Sequence, residues 1–267
     1  GMKQAAFLGT GNMGGALVRA ACRSVGAEEV ILSNRTRSKA QALADETGCS
    51  VAADNRTAAG NARYLFLGVK PHLVRQLLEE VSPVLTRGQV LVSMAAGLTT
   101  EALASWAPAG VPILRIMPNT PSAIGKGMTA LCAAPGVGEE HLAAVEAILT
   151  GSGRVERLEE RLMYAFSAVA GCGPAFVYPF LEAMADGGVL AGLPREQAKV
   201  FAAQTMLGAA ALVLESGEHP GALKDAVCSP GGSTIEGVAA LERHGFRGAV
   251  LDAVEAAWKK NAALGKA

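Results

Sequence analysis

The chain has 267 residues, half of them apolar, and its 24 Lys and Arg balance 24 Asp and Glu. Such a composition buries a sizeable core and excludes wholesale disorder, while the zero net charge gives no reason to expect a nucleic acid or an anionic membrane as partner. The five cysteines (Cys22, Cys49, Cys132, Cys172, Cys228) form no CxxC or Cys/His cluster, so they read as reduced thiols of a cytoplasmic protein and no metal site is expected.

Gly1 ahead of Met2 is expected to be an addition to the natural start, and no signal-peptide pattern follows it. Up to about Glu156, short apolar runs alternate with helical patterns. AAFLG (5–9), VILSN (30–34), YLFLGV (64–69), QVLVS (89–93) and PILRIM (112–117) are predicted strands, and MTALCAA (128–134) adds a last one. Continuous apolar runs of this kind suit strands buried on both faces of a parallel sheet. Helical spacing over 15–24, 38–47 and 72–84 completes a βαβ series, which predicts an N-terminal Rossmann-like doubly wound sheet over 1–157. From 158 to 267 the signals turn helical, with segments over 163–171, 175–191, 194–216, 233–243 and 246–264, so the fold class is α/β followed by an all-α domain.

Two features of that helical half bear on partners. Residues 162–181 carry no charge and are long enough to span a bilayer, but Gly171, Gly173, Pro174 and Pro179 interrupt them, and no membrane partner is expected. Residues 200–214 also lack charge and are apolar on most sides, and a bundle of about 100 residues has little interior to hide such a helix. The expected remedy is a second copy of the chain, giving a homodimer or higher homo-oligomer through the C-terminal half.

GTGNMG follows the first predicted strand and opens a helical pattern, as a dinucleotide fingerprint requires. Gly9 serves the tight turn, Gly11 the approach of a pyrophosphate and Gly14 close helix–strand packing. Together with Asn12 and Met13 they are the expected contacts at the positive end of the helix. The second predicted strand ends in SNRT (33–36) with no acid for a ribose 2′-hydroxyl, whereas Asn34 and Arg35 offer donors for a 2′-phosphate, so NADPH is expected ahead of NADH. VKPH (69–72), MAAG (94–97) and MPNTP (117–121) follow further strands at the ligand edge. The prolines around Asn119 are expected to aim its amide at a ligand.

A second glycine loop, CSPGGSTIEGV (228–238), lies near the other end of the chain. Ser233 and Glu236 fit a capping box, and Gly231 and Gly232 leave backbone N–H groups open beside the helix end. Two anion sites suit one cofactor and one acidic substrate, although a plain helix–helix turn explains the second loop equally well.

GTGNMG, VKPH, MAAG, MPNTP, AGCGPAF (170–176), ADGGVLAGLPR (185–195) and LKDAVCSPGGSTIEGV (223–238) resemble, in order, the pyrroline-5-carboxylate reductase family over essentially the whole chain. The resemblance implies NAD(P)H-dependent reduction of a small cyclic imino acid to L-proline. It also implies a substrate held at Gly231, Gly232, Ser233 and Thr234 against the nicotinamide of the neighbouring subunit, with Thr234 at the ring nitrogen. Asn55 then matches the adenosine side, while Val69, Lys70 and Pro71 with Ala95, Ala96 and Gly97 border the nicotinamide half. Cys172 and Ala226 depart from the serine and the amide frequent at those positions. A related reductase using Lys199 or Lys224, and a cofactor-binding regulatory protein without turnover, are the rival readings.

Overall fold

The structure, a computed structural model, describes residues 1–265, with Asn12 described through its backbone alone. Two compact units divide the chain: Gly1–Gly171 with the residues from Trp258 onward, and Cys172–Ala257. The division thus falls after Gly171 and returns the end of the chain to the first unit, where the sequence led us to expect one break at 157.

The first unit runs β1 (Lys3–Leu8), α1 (Gly11–Val25), β2 (Val30–Ser33), α2 (Arg37–Thr47), β3 (Ser50–Val51), α3 (Asn55–Gly60), β4 (Ala62–Leu67), α4 (Pro71–Val81) and β5 (Val90–Ser93). It continues through α5 (Thr100–Trp106), β6 (Ile113–Met117), β7 (Gly127–Ala133), α6 (Glu139–Leu149), β8 (Gly153–Arg157) and α7 (Met163–Phe166), which closes in a π-helical turn, Ser167–Gly171. The strands form one sheet in the order β3-β2-β1-β4-β5-β6-β7-β8. Neighbours are parallel except β6 and β7. The sense of winding reverses between β1 and β4, the switch point at which doubly wound folds hold nucleotides.

Two-sided burial explains why the apolar runs were legible as strands. Successive side chains of a strand point to opposite faces. Accordingly Ala5, Phe7, Tyr64, Phe66, Val90 and Val92 pack with α1, α2 and α6, while Ala6, Leu8, Leu65, Leu67 and Leu91 pack with α3, α4 and α5. Phe7 and Phe66 stack at 4.6 Å in the middle of the first layer. Truncating Phe66 to alanine there would cost roughly 3–5 kcal/mol. β8 escaped the sequence reading because GRVER is an edge strand whose Arg154, Glu156 and Arg157 are exposed. Such charges discourage pairing with other chains and erase the apolar pattern.

The second unit contains α8 (Gly173–Leu190), α9 (Arg195–Ser216), α10 (Pro220–Val227), α11 (Ser233–Arg243) and α12 (Phe246–Gly265), whose last turns group with the first unit. Gly192, at φ +105°, follows the end of α8. The core of this unit is small: Ala185, Ala198 and Ala202, backed by Leu181 and Val189 between α8 and α9. The uncharged stretch of α9 is not hidden within its own bundle, for Val200, Phe201, Leu207, Leu212 and Leu214 are each at least 50% exposed. Within the run 162–181, Val169, Val177 and Tyr178 are exposed as well. Among the described residues, two helical stretches, Glu160–Leu190 and Arg195–Ser216, are long and apolar enough to cross a membrane.

Candidate active site

Because β1, β2, β4, β5 and β6 run parallel, the loops that follow them all leave the same edge of the sheet. The first is set by close backbone approach. Gly9 takes φ +86° and Gly11 φ +45°, and a side chain on Gly9 would press on Val69 Cγ1 at 2.8 Å. Gly68 has still less room, since a Cβ there would overlap the Gly9 carbonyl oxygen. Gly68 N–H donates to the Leu8 carbonyl at 2.9 Å, and Gly9 N–H to that of Ser33 at 2.8 Å, so the loops after β1, β2 and β4 are tied together. Gly14 differs from expectation: a Cβ there meets only ordinary contacts at 3.5 Å, and close helix–strand packing is not what it secures. The side chain of Asn12 lies outside the described residues, while Met13 is half-buried. The first turn of α1 carries no acidic residue and no side-chain cap. Among the described residues no side chain caps its first N–H groups, which lie beside the positive end of the helix dipole.

Beside this loop lies a cleft of about 410 Å³, lined by Gly9, Asn34, Arg35, Asn55, Val69 and Glu80 among others. Asn55 is held from two sides: Ser33 Oγ donates to its Oδ1 at 2.7 Å, and its Nδ2 donates to Glu80 Oε2 at 3.2 Å. Asp54, the cleft's other carboxylate, accepts from Thr57 N–H at 2.7 Å and caps α3; that bond holds its carboxyl below the usual range. Asn34 Nδ2 donates to the Thr36 carbonyl at 3.1 Å. Arg35 is exposed and, among the described residues, pairs with none. A free guanidinium at the lip of a cleft where β2 ends without an acid suits a phosphate monoester on the ribose. The backbone cradle, the uncapped helix and this cation together fit a phosphorylated dinucleotide.

Further along the edge, Lys70 and Pro71 start α4, with Lys70 exposed and Pro71 at the first helical position. Ala95 is buried, Ala96 exposed and Gly97 at φ +78°. Asn119 corrects the expectation placed on it. Its Oδ1 accepts from Met128 N–H at 2.8 Å and its Nδ2 donates to the Ala170 carbonyl at 3.0 Å, so its amide ties β7 to the π-helical turn rather than facing a ligand.

The second glycine loop is built as a tight turn. Gly232 N–H donates to the Ser229 carbonyl at 3.1 Å across Pro230 and Gly231, and Gly231 takes φ +70°. Proline followed by a glycine at positive φ is the pattern of a type II turn. The capping box does not form: Gly232 is the N-cap of α11, Ser233 is its first helical residue, and no side chain caps the end. Gly232 itself sits at φ −80°, so the residue that needs to be glycine for its backbone is Gly231. The outcome favours anion binding, because the N–H groups at the start of α11 stay open and Glu236 does not turn back to fill them. Ser233 and Thr234 are exposed.

The lysines of the rival reading are already paired, Lys199 with Glu196 at 2.8 Å and Lys224 with Asp225 at 3.4 Å. Among the described residues no cluster of three or more His, Cys, Asp and Glu has the arrangement of a metal site.

Comparison with known proteins agrees with this geometry. Residues 160–264 match the family model for pyrroline-5-carboxylate reductase dimerisation, and residues 4–97 match that for NADP oxidoreductase, coenzyme F420-dependent. The chain is 41% identical over 266 residues to pyrroline-5-carboxylate reductase of Escherichia coli, covering 99% of both chains. It is 37% identical over 259 residues to the pea enzyme, covering 97% of this chain and 94% of that one. Among solved structures, a pyrroline-5-carboxylate reductase from Coxiella burnetii superposes with a TM-score of 0.92 at 30% identity over 99% of both chains. The Plasmodium falciparum pyrroline carboxylate reductase with NADP bound superposes at 0.85 with 31% identity, over 99% of this chain and 100% of that one. The fold is thus a mostly parallel Rossmann-like sheet followed by a helical dimerisation region, and the chain belongs to the pyrroline-5-carboxylate reductase family.

Proposed function

We propose that this protein reduces 1-pyrroline-5-carboxylate to L-proline, with NADPH ahead of NADH as hydride donor. The observation that carries the reading is full-length identity of 41% to an enzyme of that name, with both glycine loops in place. When bound, the nicotinamide supplies the hydride. Gly9, Gly11, Met13 and Gly14 would hold the pyrophosphate on the start of α1, Asn34 and Arg35 the 2′-phosphate, and Asn55 the adenosine side. Val69, Lys70, Pro71, Ala95, Ala96 and Gly97 would border the nicotinamide half.

Gly231, Gly232, Ser233 and Thr234 would take the substrate carboxylate on the open N–H groups of α11, and the Thr234 hydroxyl would lie at the ring nitrogen. A protonated imine accepts hydride with little further assistance, so holding donor and acceptor in line is most of the work. An isolated hydroxyl is a poor acid, and Thr234 serves to orient the nitrogen.

The exposed apolar surface of α8 and α9, within the matched dimerisation region, supports a homo-oligomer. We take it to be a homodimer in which the loop of one chain completes the site of the other. In this reading the sheet-bearing unit holds cofactor, the helical unit holds substrate and partner, and the protein works in the cytoplasm. The test is NADPH oxidation by purified protein with pyrroline-5-carboxylate, pyrroline-2-carboxylate and piperideine-carboxylates side by side. The first should turn over fastest, and no turnover with any of them would favour a regulatory protein.

A further inference from the structure

The loop that joins β5 to α5 packs Ala95 and Leu98 against the core, but its hydrogen bonds to the rest of the protein lie at its ends. At one end Ala95 N–H donates to Ser93 Oγ at 3.2 Å. Among the described residues, Ala96, Gly97 and Leu98 make no hydrogen bond to the rest of the protein. At the other end stands Glu160, from the segment between β8 and α7. Its Oε2 accepts from Thr100 N–H at 2.9 Å and its Oε1 from the Thr100 hydroxyl at 3.0 Å. Arg115, on β6 and only 4% exposed, donates to the same Oε2 at 3.1 Å.

The arrangement is costly to build. A buried guanidinium needs a partner, and Arg115 Nε has none while being wholly buried. Burial alone would push the Glu160 carboxyl up, but the hydrogen bonds from Thr100 and Arg115 outweigh it and hold the group ionised. A carboxylate receiving three donors fixes its partners far more firmly than a surface ion pair does. Arg115 also shares a cavity of about 120 Å³ with Ala96 and Gly97, so its guanidinium side lies behind the loop while Glu160 grips Thr100 at the loop's end.

We infer that Arg115 and Glu160 are positioning residues for hydride transfer, acting through Thr100 to hold the Ala95–Gly97 segment against the nicotinamide. The inference rests on the reading that this segment borders the nicotinamide. Without the clamp the loop drifts by a fraction of an ångström to an ångström, which lowers turnover more than cofactor affinity, because the pyrophosphate is anchored elsewhere.

The test uses full-length Glu160→Gln, Thr100→Val and Thr100→Ser. Glu160→Gln should lower kcat about 10- to 100-fold, and Thr100→Val about 3- to 10-fold. The NADPH dissociation constant, read by fluorescence, should move less than about threefold in both, and Thr100→Ser should restore wild-type turnover. Hydrogen exchange without ligand should quicken at the amides of 96–100 in the first two variants and not in the third. Folded variants with wild-type kcat and unchanged exchange would overturn the clamp. Faster exchange with unchanged kcat would overturn its role in the reaction while leaving the contact intact. Wild-type protein that does not reduce pyrroline-5-carboxylate would instead refute the function reading, and the exchange data would still judge the contact. Should Glu160→Gln not fold, Thr100→Val with Thr100→Ser decides alone.

Discussion

Replacing Arg35 by alanine should separate the two nicotinamide cofactors. Arg35 is exposed at the lip of the cleft and pairs with no other described residue, so its removal breaks no internal contact and should leave stability within about 0.5 kcal/mol. A charge-assisted hydrogen bond from guanidinium to phosphate is worth on the order of 1–3 kcal/mol at a partly exposed site. At 1.4 kcal/mol per factor of ten, the Michaelis constant for NADPH should rise about 5- to 150-fold. NADH has no 2′-phosphate, and its constant should barely change. Raising salt should erode the wild-type preference, because the pair is open to solvent and the screening length falls to about 3 Å at 1 M. Steady-state kinetics with both cofactors at two ionic strengths provide the assay. Equal effects of the substitution on NADPH and NADH would refute the 2′-phosphate contact.

Ala210 lies between the exposed Leu207 and Leu214 on α9, and Ala210→Glu should dissociate or unfold the oligomer, since a buried unpaired charge costs several kcal/mol; a wild-type mass in light scattering would place the interface elsewhere. Thr234→Ala should lose about 1–3 kcal/mol of transition-state stabilisation without weakening NADPH binding, and unaltered kinetics in the folded variant would remove the hydroxyl from the reaction. Gly231→Val should be worse, because its φ of +70° opposes any β-branched side chain; stable protein with wild-type kinetics would show that the loop is a mere turn. Glu160 is held below its usual range, so its contribution is present above the unfolded value of about 4.3 and is lost as pH falls through the lower folded one. Cys132, paired with Arg115 across the strands, stays a neutral thiol there, its value pushed up to about 11 by burial. Thermal melts from pH 6 down to 3 should therefore converge for wild type and Glu160→Gln, and parallel curves would contradict the ionised clamp.

What the sequence carried well was whatever repeats locally. The runs 5–8 in β1, 64–67 in β4 and 90–92 in β5 are apolar at every position because both sheet faces are covered, and GTGNMG needed only its neighbours in the chain to be read. What it hid depends on distant partners. Arg115 sits within the apolar run PILRIM and gave no sign that Glu160, 45 positions on, would reach it. Asn119 looked like a ligand group because a side-chain amide between two prolines does not show that Met128 and Ala170 engage it. The Ser233–Glu236 pattern fits a capping box, and only the backbone shows that the helix starts one residue too early for it, with Gly232 as the N-cap. Gly68 is the reverse case, a plain glycine after a strand whose importance appears once the Gly9 carbonyl is found against it.

The central claim is that hydride passes from NADPH to the imine carbon of a ring held by the second glycine loop. Incubating the protein with pyrroline-5-carboxylate and NADPH deuterated at the transferring C4 position, then analysing the product by mass spectrometry, tests it most directly. L-proline carrying one deuterium at C5 is the expected result. Proline without deuterium, or cofactor oxidation without proline, would contradict the account.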